Sequence, residues 1–326
     1  MPLISVILPV YNGEKTIYET INSIVNQTFI DWELIVINDG SQDLTLDIIN
    51  SFSDSRLQVF SYPNAGQAIS RNRGVIQASG KYISFIDADD IWTPHKLEFQ
   101  IKALQENSEA SVAYSWCDHI DIEGKFLRTG SRITANGDVR AKLLLANFLE
   151  NGSNPLVCKQ ALISIGGFEA SLSPAEDWDL WLRLALHYQF VAVPYPQVLY
   201  RVSPNSMSSN VVKMELASLQ VIERAFSQAP QSLQYLKNSS FGNLYKYLLY
   251  KTLESFSERK AVILTSTRFL WNAVKSDPSM LKTKIILKVL FKIISIALLN
   301  YQKSQALFQK FSRFSNTSTL LAYLKV

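Results

Sequence analysis

The feature that most constrains the fold of this sequence is an alternation of short apolar strands with single helices over its first 110 residues. Apolar residues recur at helical spacing around 17–25, 43–52 and 67–78, between runs that have the character of buried strands. Strands separated by single helices predict an α/β fold with a Rossmann-like, mainly parallel sheet flanked by helices. The predicted strands are Ile4–Leu8, Trp32–Ile37, Leu57–Phe60 and Lys81–Ile86.

Polar side chains follow three of these strands, close to the points where the strands end. Tyr11 and Asn12 follow the first, Asp39 the second and Asp87 the fourth. Ligands of parallel sheets bind beyond the carboxyl ends of the strands, so these segments are expected to meet at one edge. Asp39 fits either an Asp-Gly turn or an acceptor for a nucleobase hydrogen. Tyr11 fits either the core or a surface that stacks on a base.

The densest negative charge lies in Asp87-Ala-Asp-Asp90, directly after the fourth strand. Neighbouring carboxylates repel one another unless a cation or a hydrogen-bonded ligand compensates their charge. Mg²⁺ typically takes one or two protein carboxylates and completes its coordination with phosphate oxygens and water. Because helix capping can be assigned to Asp90 or Thr93, Asp87 and Asp89 are left for a metal shared with a diphosphate.

Two arginines on the helix predicted at 67–78 are candidates for contact with this acidic segment. Arg71 and Arg73 are two residues apart and therefore point to different faces of the helix. One of them can reach the carboxylates or a phosphate. Arg71 is our candidate, and Arg73 fits a solvated surface position better.

A second acidic site opens the helix predicted from 173 to 186. Ser173, Pro174 and Glu176 match a capping box, which explains Glu176. Asp177 is explained less well by its place in the first turn, although acidic residues are favoured there. Tryptophans at helical spacing give this helix a buried stripe, so Asp177 is held on a rigid element and is our candidate general base.

The C-terminal part of the chain is strongly basic. The whole chain of 326 residues has a net charge of +4, yet residues 281–326 contain eight basic residues and no acidic one, which predicts contact with an anionic surface. Lys284, Lys288 and Lys292 form a narrow polar stripe on an apolar helix too short to span a bilayer. Two interpretations stay open: a helix in the membrane interface with its lysines at the headgroups, or a helix packed on the catalytic domain with its lysines in water.

Several other classes of function lack their signatures in this sequence. It has no P-loop, no G-x-G-x-x-G fingerprint, no G-x-S-x-G motif and no clustered Cys/His zinc site, and no nucleic-acid partner is expected. Cys117 and Cys158 are expected to be reduced thiols. Without a signal-like N-terminal segment, the expected location is cytoplasmic, peripheral on the inner face of the cell membrane if the basic tail binds there.

Taken together, these segments resemble the family 2 glycosyltransferases, which have the GT-A fold. The resemblance runs in order through about residues 3–208, which would form the catalytic domain, followed by a helical region at 209–326. The matching segments are Ser5–Asn12, Ser23–Thr28, Glu33–Ser41, Ala68–Gly74, Gly80–Asp90, Gly166–Phe168 and Glu176–Arg183.

This resemblance implies a role for each candidate residue. Tyr11 and Asp39 would hold the base of a nucleotide sugar such as a UDP-sugar, and Asp87 would approach the ribose. Asp89 would bind Mg²⁺ or Mn²⁺ against the diphosphate. Asp177 would be the inverting base, acting on a hydroxyl of a saccharide or lipid-linked saccharide acceptor. The full set of donor-binding residues would be Pro9, Tyr11, Glu14, Asp39, Arg71 and Asp87.

The sequence departs from the family pattern at one position. Many members carry a histidine two residues after an arginine in the closing strand, whereas here Arg201 is followed by Ser203. An extra metal or phosphate contact is therefore not implied at this position, and Ser206 or Ser208 would replace part of it. Two further functions stay open: a nucleotidyltransferase, and a non-catalytic module that binds sugar nucleotides or glycans.

Overall fold

The structure is a computed structural model that describes residues 1–203, 206, 210–254 and 259–324. The chain divides into two compact units, one of residues 1–143 and 147–203, and one of residues 144–146 and 204–326. Cys117 and Cys158 are both free thiols. The functional assignment of 1–208 and 209–326 stays a prediction.

The first unit is built around a mixed, nine-stranded sheet. The strand order is β3-β2-β1-β4-β8-β6-β9-β5, with β7 beside β6. Neighbouring strands among β3, β2, β1 and β4 are parallel, as are β6 and β9, and the other neighbouring pairs are antiparallel. The predicted parallel part is thus present, and antiparallel strands extend it. The strands are β1 (Ile4–Val10), β2 (Trp32–Asn38), β3 (Leu57–Ser61), β4 (Tyr82–Phe85), β5 (Ile91–Trp92), β6 (Ala110–Ile120), β7 (Phe126–Thr129), β8 (Leu156–Cys158) and β9 (Gln189–Arg201).

Helices cover the sheet of the first unit and form most of the second. Every residue of β1 and β2 is buried, as expected for parallel strands with helices on both faces. The helices of the first unit are α1 (Ile17–Val25), α2 (Thr45–Asn50), α3 (Gln67–Gln77), α4 (Lys96–Glu106), α5 (Arg140–Leu145, which ends in the second unit), α6 (Lys159–Ser164) and α7 (Glu176–His187). Those of the second are α8 (Val211–Gln228), α9 (Lys237–Glu254), α10 (Arg259–Ser276), α11 (Ile285–Leu298), α12 (Tyr301–Lys310) and α13 (Ser312–Ser315).

Two elements of the first unit differ from the sequence prediction. The apolar runs at 190–193 and 198–202 predict two separate short strands, but these residues belong to the single strand β9, although it contains Pro194 and Pro196. Its pairing with β6 shifts register around Trp116, and such an irregularity accommodates residues without an N–H. The apolar pattern of residues 139–149 predicts one helix, but α5 ends at Leu145 and residues 147–154 form a loop.

Helix α11 of the second unit corrects the prediction for the lysine stripe. The side chain of Lys292 is buried, and its Nζ donates to Oε1 of Glu254 over 2.6 Å. Lys292 therefore lies neither at a lipid headgroup nor in water. No helix among the described residues is long and apolar enough to cross a membrane.

Candidate functional site

Asp39, at the end of β2, connects this strand to the start of α3. The side chain is buried, and its Oδ1 and Oδ2 accept hydrogen bonds from the backbone N–H groups of Ala65 (2.9 Å) and Gly66 (2.8 Å). Nη1 of Arg73 lies 3.1 Å from the same Oδ1. The prediction of a solvated Arg73 is therefore wrong, because its guanidinium pairs with a carboxylate at the sheet edge. The role of Asp39 toward a nucleobase stays a prediction.

The other residues predicted to bind the donor near β1 differ in exposure. Pro9 is buried in β1, opposite Ile37 of β2. The side chain of Tyr11 is 52% exposed, so its ring is free to stack on a ligand. Glu14 is bound to the loop before α2, because its Oε2 accepts the N–H of Leu44 over 3.1 Å.

Arg71, on α3, lies between two carboxylates from distant parts of the chain. Its side chain is 2% exposed, Nη2 lies 2.6 Å from Oδ1 of Asp87, and Nη1 lies 3.2 Å from Oε1 of Glu176. Burial alone would lower the pKa of Arg71, but the charges of Asp87 and Glu176 outweigh it and raise that pKa. Arg71 thus joins the end of β4 to the start of α7.

Glu176 is a site residue that the sequence prediction explained incorrectly. Helix α7 begins at Glu176, and Ala175 before it provides no side-chain cap. The capping box is therefore absent, and the buried carboxylate of Glu176 binds Arg71 instead. Within the described part of the chain, Oε2 of Glu176 and Nε of Arg71 are buried without a hydrogen-bond partner.

Asp177, the candidate general base, follows Glu176 directly in α7. Its Oδ2 accepts a hydrogen bond from Nδ2 of Asn147 over 3.2 Å, and its Oδ1 accepts the N–H of Trp178 over 2.7 Å. Burial, followed by the charge of Glu176, raises the pKa of Asp177 to about 7, although Arg71 acts in the opposite direction. A carboxyl group with a pKa near neutral pH is well matched to accepting a proton from a hydroxyl.

Asp90 stabilises the acidic segment from within the core. It is fully buried, its Oδ2 accepts the hydroxyl of Ser153 over 2.5 Å, and its Oδ1 accepts the N–H of Arg201 over 2.9 Å. The prediction that Asp90 or Thr93 caps a helix is wrong. Helix α4 begins after His95, which forms no side-chain cap.

Asp87 and Asp89 are the candidates to hold a hard divalent cation. Within the described part of the chain, the carboxylate of Asp89 accepts no hydrogen bond from another residue, and Asp87 uses only its Oδ1, toward Gln67 and Arg71. Burial and the charge of Asp87 raise the pKa of Asp89 to about 6, the effect expected of a carboxylate that lacks its counter-charge. Uncommitted carboxylate oxygens are the donors that Mg²⁺ and Mn²⁺ prefer. No group of three or more such ligands occurs among the described residues, so phosphate and water would complete the coordination.

Arg201, at the end of β9, fixes the backbone of this segment. Its Nε donates to the carbonyl of Asp89 over 2.8 Å, and its Nη2 lies 2.6 Å from Oε2 of Glu19. The guanidinium is thus committed to protein groups. Of the serines considered as replacements for the family's histidine, Ser208 lies outside the described residues, and a role for Ser206 stays a prediction.

Comparison with known proteins identifies the family. The sequence model described as "Glycosyltransferase like family 2" matches residues 5–252, which is most of the chain. The chain belongs to this family. It is also 35% identical, over 216 residues, to the Escherichia coli UDP-Glc:alpha-D-GlcNAc-diphosphoundecaprenol beta-1,3-glucosyltransferase WfgD, covering 65% of the chain and 81% of WfgD. The chain spans only 26% of another relative, an uncharacterized glycosyltransferase from Rickettsia bellii.

Solved structures confirm that this glycosyltransferase has a GT-A-like fold with a helical C-terminal region. The mannosyltransferase PcManGT from Pyrobaculum calidifontis, solved with GDP-Man and Mn²⁺, superposes with a TM-score of 0.58 at 16% identity, covering 100% of this chain and 88% of PcManGT. Residues 1–349 of S. aureus TarS with UDP-GlcNAc give a TM-score of 0.56 at 19% identity, covering 98% of this chain and 90% of that TarS fragment. Neither alternative function, nucleotidyltransferase or non-catalytic binding module, is favoured.

Proposed function

We propose that this glycosyltransferase is an inverting enzyme that transfers a sugar from a UDP-sugar to a hydroxyl of a saccharide or lipid-linked saccharide, in the synthesis of a cell-surface polysaccharide or glycoconjugate. The observation that carries the proposal is the pair of contacts made by Arg71. Through them, Asp87 at the end of β4 and Glu176 at the start of α7, which is followed by Asp177, belong to one cluster around the buried Arg71. WfgD supports the donor and the lipid-linked acceptor by its name, and the TarS complex supports a UDP-sugar at the level of the fold.

In this proposal Asp177 is the catalytic base. Its carboxylate accepts the proton of the acceptor hydroxyl as that oxygen attacks the anomeric carbon opposite the leaving UDP, which inverts the configuration. Tyr11 and Asp39, with Pro9 behind them, hold the base of the donor, and Asp87 approaches the ribose. Glu14 and Arg71 lie near the nucleotide, and Arg71 acts chiefly by positioning Asp87.

We also propose that Asp89, with Asp87 beside it, holds Mg²⁺ or Mn²⁺. Such an ion, when bound, would compensate the negative charge that develops on the departing diphosphate. The Mn²⁺ in the PcManGT complex supports this proposal at the level of the fold. We expect excess EDTA to abolish transfer and added Mn²⁺ or Mg²⁺ to restore it; full activity in EDTA would contradict the metal assignment.

We propose that residues 1–208 catalyse the transfer. In the helical region 209–326, the basic residues of 281–326 would associate with the anionic inner face of the cell membrane. The seven basic residues of that tail other than the buried Lys292 support this assignment.

A donor screen tests the proposed reaction. Purified enzyme is incubated with Mn²⁺, a panel of UDP-, GDP- and dTDP-sugars and a diphospholipid-linked GlcNAc acceptor, and the anomeric configuration of the product is determined by NMR. We expect one α-linked UDP-sugar to give a β-linked product. Retention of configuration would exclude Asp177 as an inverting base, and release of pyrophosphate instead of UDP would indicate a nucleotidyltransferase.

A further inference from the structure

Helix α11 of the second unit presents an apolar face to solvent. Its exposed large side chains are Leu287, Leu290, Ile294 and Leu298, which are 58%, 40%, 52% and 77% exposed. Steps of three or four residues place all four on one side of the helix, in a stripe about 16 Å long. We call these four residues the α11 stripe.

The opposite side of α11 is already fully packed. Ile285, Val289 and Ile293 are buried there, and Lys292 is held between Oε1 of Glu254 and the hydroxyl of Thr317. The helix therefore has its core contacts on one side. The α11 stripe is a second apolar face, which soluble proteins seldom expose without a binding role.

Positive charge lies beside the α11 stripe, at the start of the helix and along one flank. Lys282 and Lys284 are exposed, Lys288 is half-buried on the flank of the stripe, and none of the three forms an ion pair with a described residue. The ring of Phe314, which is exposed on α13, lies 6.1 Å from that of Phe291 on α11, so a further apolar side chain borders this surface. Residues 281–326 contain no acidic residue that could neutralise these lysines.

We propose that the α11 stripe inserts into the surface of an anionic lipid bilayer, with the helix in the plane of the membrane and Lys284 and Lys288 at the phosphate headgroups. An exposed apolar stripe with cations on its flank matches what such a surface offers, acyl chains below a negatively charged layer. A second copy of the chain fits less well, because two basic surfaces would repel each other. This inference rests on the proposed function only in naming the membrane on which a lipid-linked acceptor would be found.

Vesicle flotation tests this proposal directly. The full chain is mixed with vesicles of phosphatidylglycerol and phosphatidylcholine, or of phosphatidylcholine alone, without donor or acceptor. We expect binding to the anionic vesicles and a loss of about tenfold or more in partitioning for the variant Leu290→Glu/Ile294→Glu, because two carboxylates would have to enter the interface. The matched control is Val212→Glu/Leu216→Glu, an exposed i,i+4 pair on α8, which should bind as the wild type does.

Two further variants test whether vesicle binding needs the charges of the lysines and whether it depends on catalytic activity. Lys284→Glu/Lys288→Glu should also lose anionic binding, by about tenfold, and raising the salt concentration should weaken wild-type binding. Asp177→Asn should bind vesicles as the wild type does, because Asp177 lies outside the α11 stripe. A wild-type enzyme that binds anionic vesicles but transfers no sugar would contradict the proposed reaction and not the membrane-binding role of the α11 stripe. Absence of binding to anionic vesicles, equal binding by Leu290→Glu/Ile294→Glu, or a wild-type dimer that this variant dissociates would each overturn the proposal.

Discussion

At the scale of single residues, Arg71 is the group on which the candidate site most depends. Its buried guanidinium faces the carboxylates of Asp87 and Glu176, and removing one partner of a buried ion pair leaves uncompensated charge. We expect Arg71→Met to lower the free energy of unfolding by about 3–5 kcal/mol in urea denaturation. The control Arg140→Met removes an exposed partner of Asp138 and should cost less than about 1 kcal/mol. If both variants lowered the free energy of unfolding by the same amount, the buried ion pairs of Arg71 would stabilise the fold no more than an exposed ion pair does.

The raised pKa of Asp177 predicts the pH dependence of the reaction. Because the base must be ionised, kcat/KM should fall below the pKa of about 7, roughly tenfold per pH unit, and level off above it. Glu176→Gln removes a negative charge that contributes to the raised pKa, so this acidic limb should move to lower pH. The exposed carboxyl of Glu106 provides the control Glu106→Gln, for which the profile should not move. A Glu176→Gln profile that shifts to higher pH would contradict the assignment.

Individual residues also show which side chains a sequence can single out as candidates and which it assigns to the wrong partner. Asp177 and Arg71 could be selected because neither helix capping nor a solvated surface position accounted well for their charged side chains. Glu176 and Asp90 were assigned to helix caps, since a carboxylate near a helix start looks the same in sequence whether it binds its own backbone or a distant arginine or serine. The partners that decide between these cases are separated by 105 residues for Arg71 and Glu176, and by 63 for Ser153 and Asp90.

At the scale of elements, the loop 147–154 holds the candidate site together. Asn147 binds Asp177, and the hydroxyl of Ser153 contacts both Asp90 and the N–H of Asp87. A Cβ on Gly152 would lie 2.5 Å from Nη2 of Arg71, so only glycine lets the loop approach the guanidinium. One loop thus contacts the proposed base Asp177, the guanidinium of Arg71 and the acidic segment.

This close approach predicts a specific effect of one methyl group. Gly152→Ala should displace the buried Arg71 and lower kcat roughly ten- to hundredfold, because small displacements in a site are costly. Gly242→Ala is the matched control: in α9 the added Cβ would lie 3.4 Å from Cβ of Asp277, and a helical alanine is favoured by up to about 1 kcal/mol. Steady-state kinetics and thermal melts of both variants test this, and unchanged kcat for Gly152→Ala would contradict it.

The elements that could be predicted are those with local signals. The strands β1 to β4 and the helices between them follow from apolar spacing, since both faces of a parallel sheet are buried. The loop 147–154 could not be predicted, because its polar residues acquire meaning only through distant partners. The lysine stripe of α11 misled the prediction for a related reason, as its spacing does not reveal that Lys292 is buried and paired with Glu254.

At the scale of the whole molecule, the fold of the first unit brings the ends of β1, β2 and β4 and the start of α7 to one edge of the sheet. The family and its GT-A-like fold could be predicted from sequence, because the motifs occur in order along the chain. The donor sugar and the acceptor could not be predicted from sequence, since no motif between the acidic segment and α7 specifies them. The central claim is therefore that Asp177 is the base of an inverting transfer.

The most direct test of this claim is a single-turnover assay of Asp177→Asn with the donor identified by the screen. The account predicts that donor binding is retained while the rate of transfer falls roughly 10²- to 10⁴-fold, because only proton removal is lost. Asp47→Asn, in α2, is the control for the same change of charge and should transfer at the wild-type rate. Transfer by Asp177→Asn at a near-wild-type rate would contradict the account.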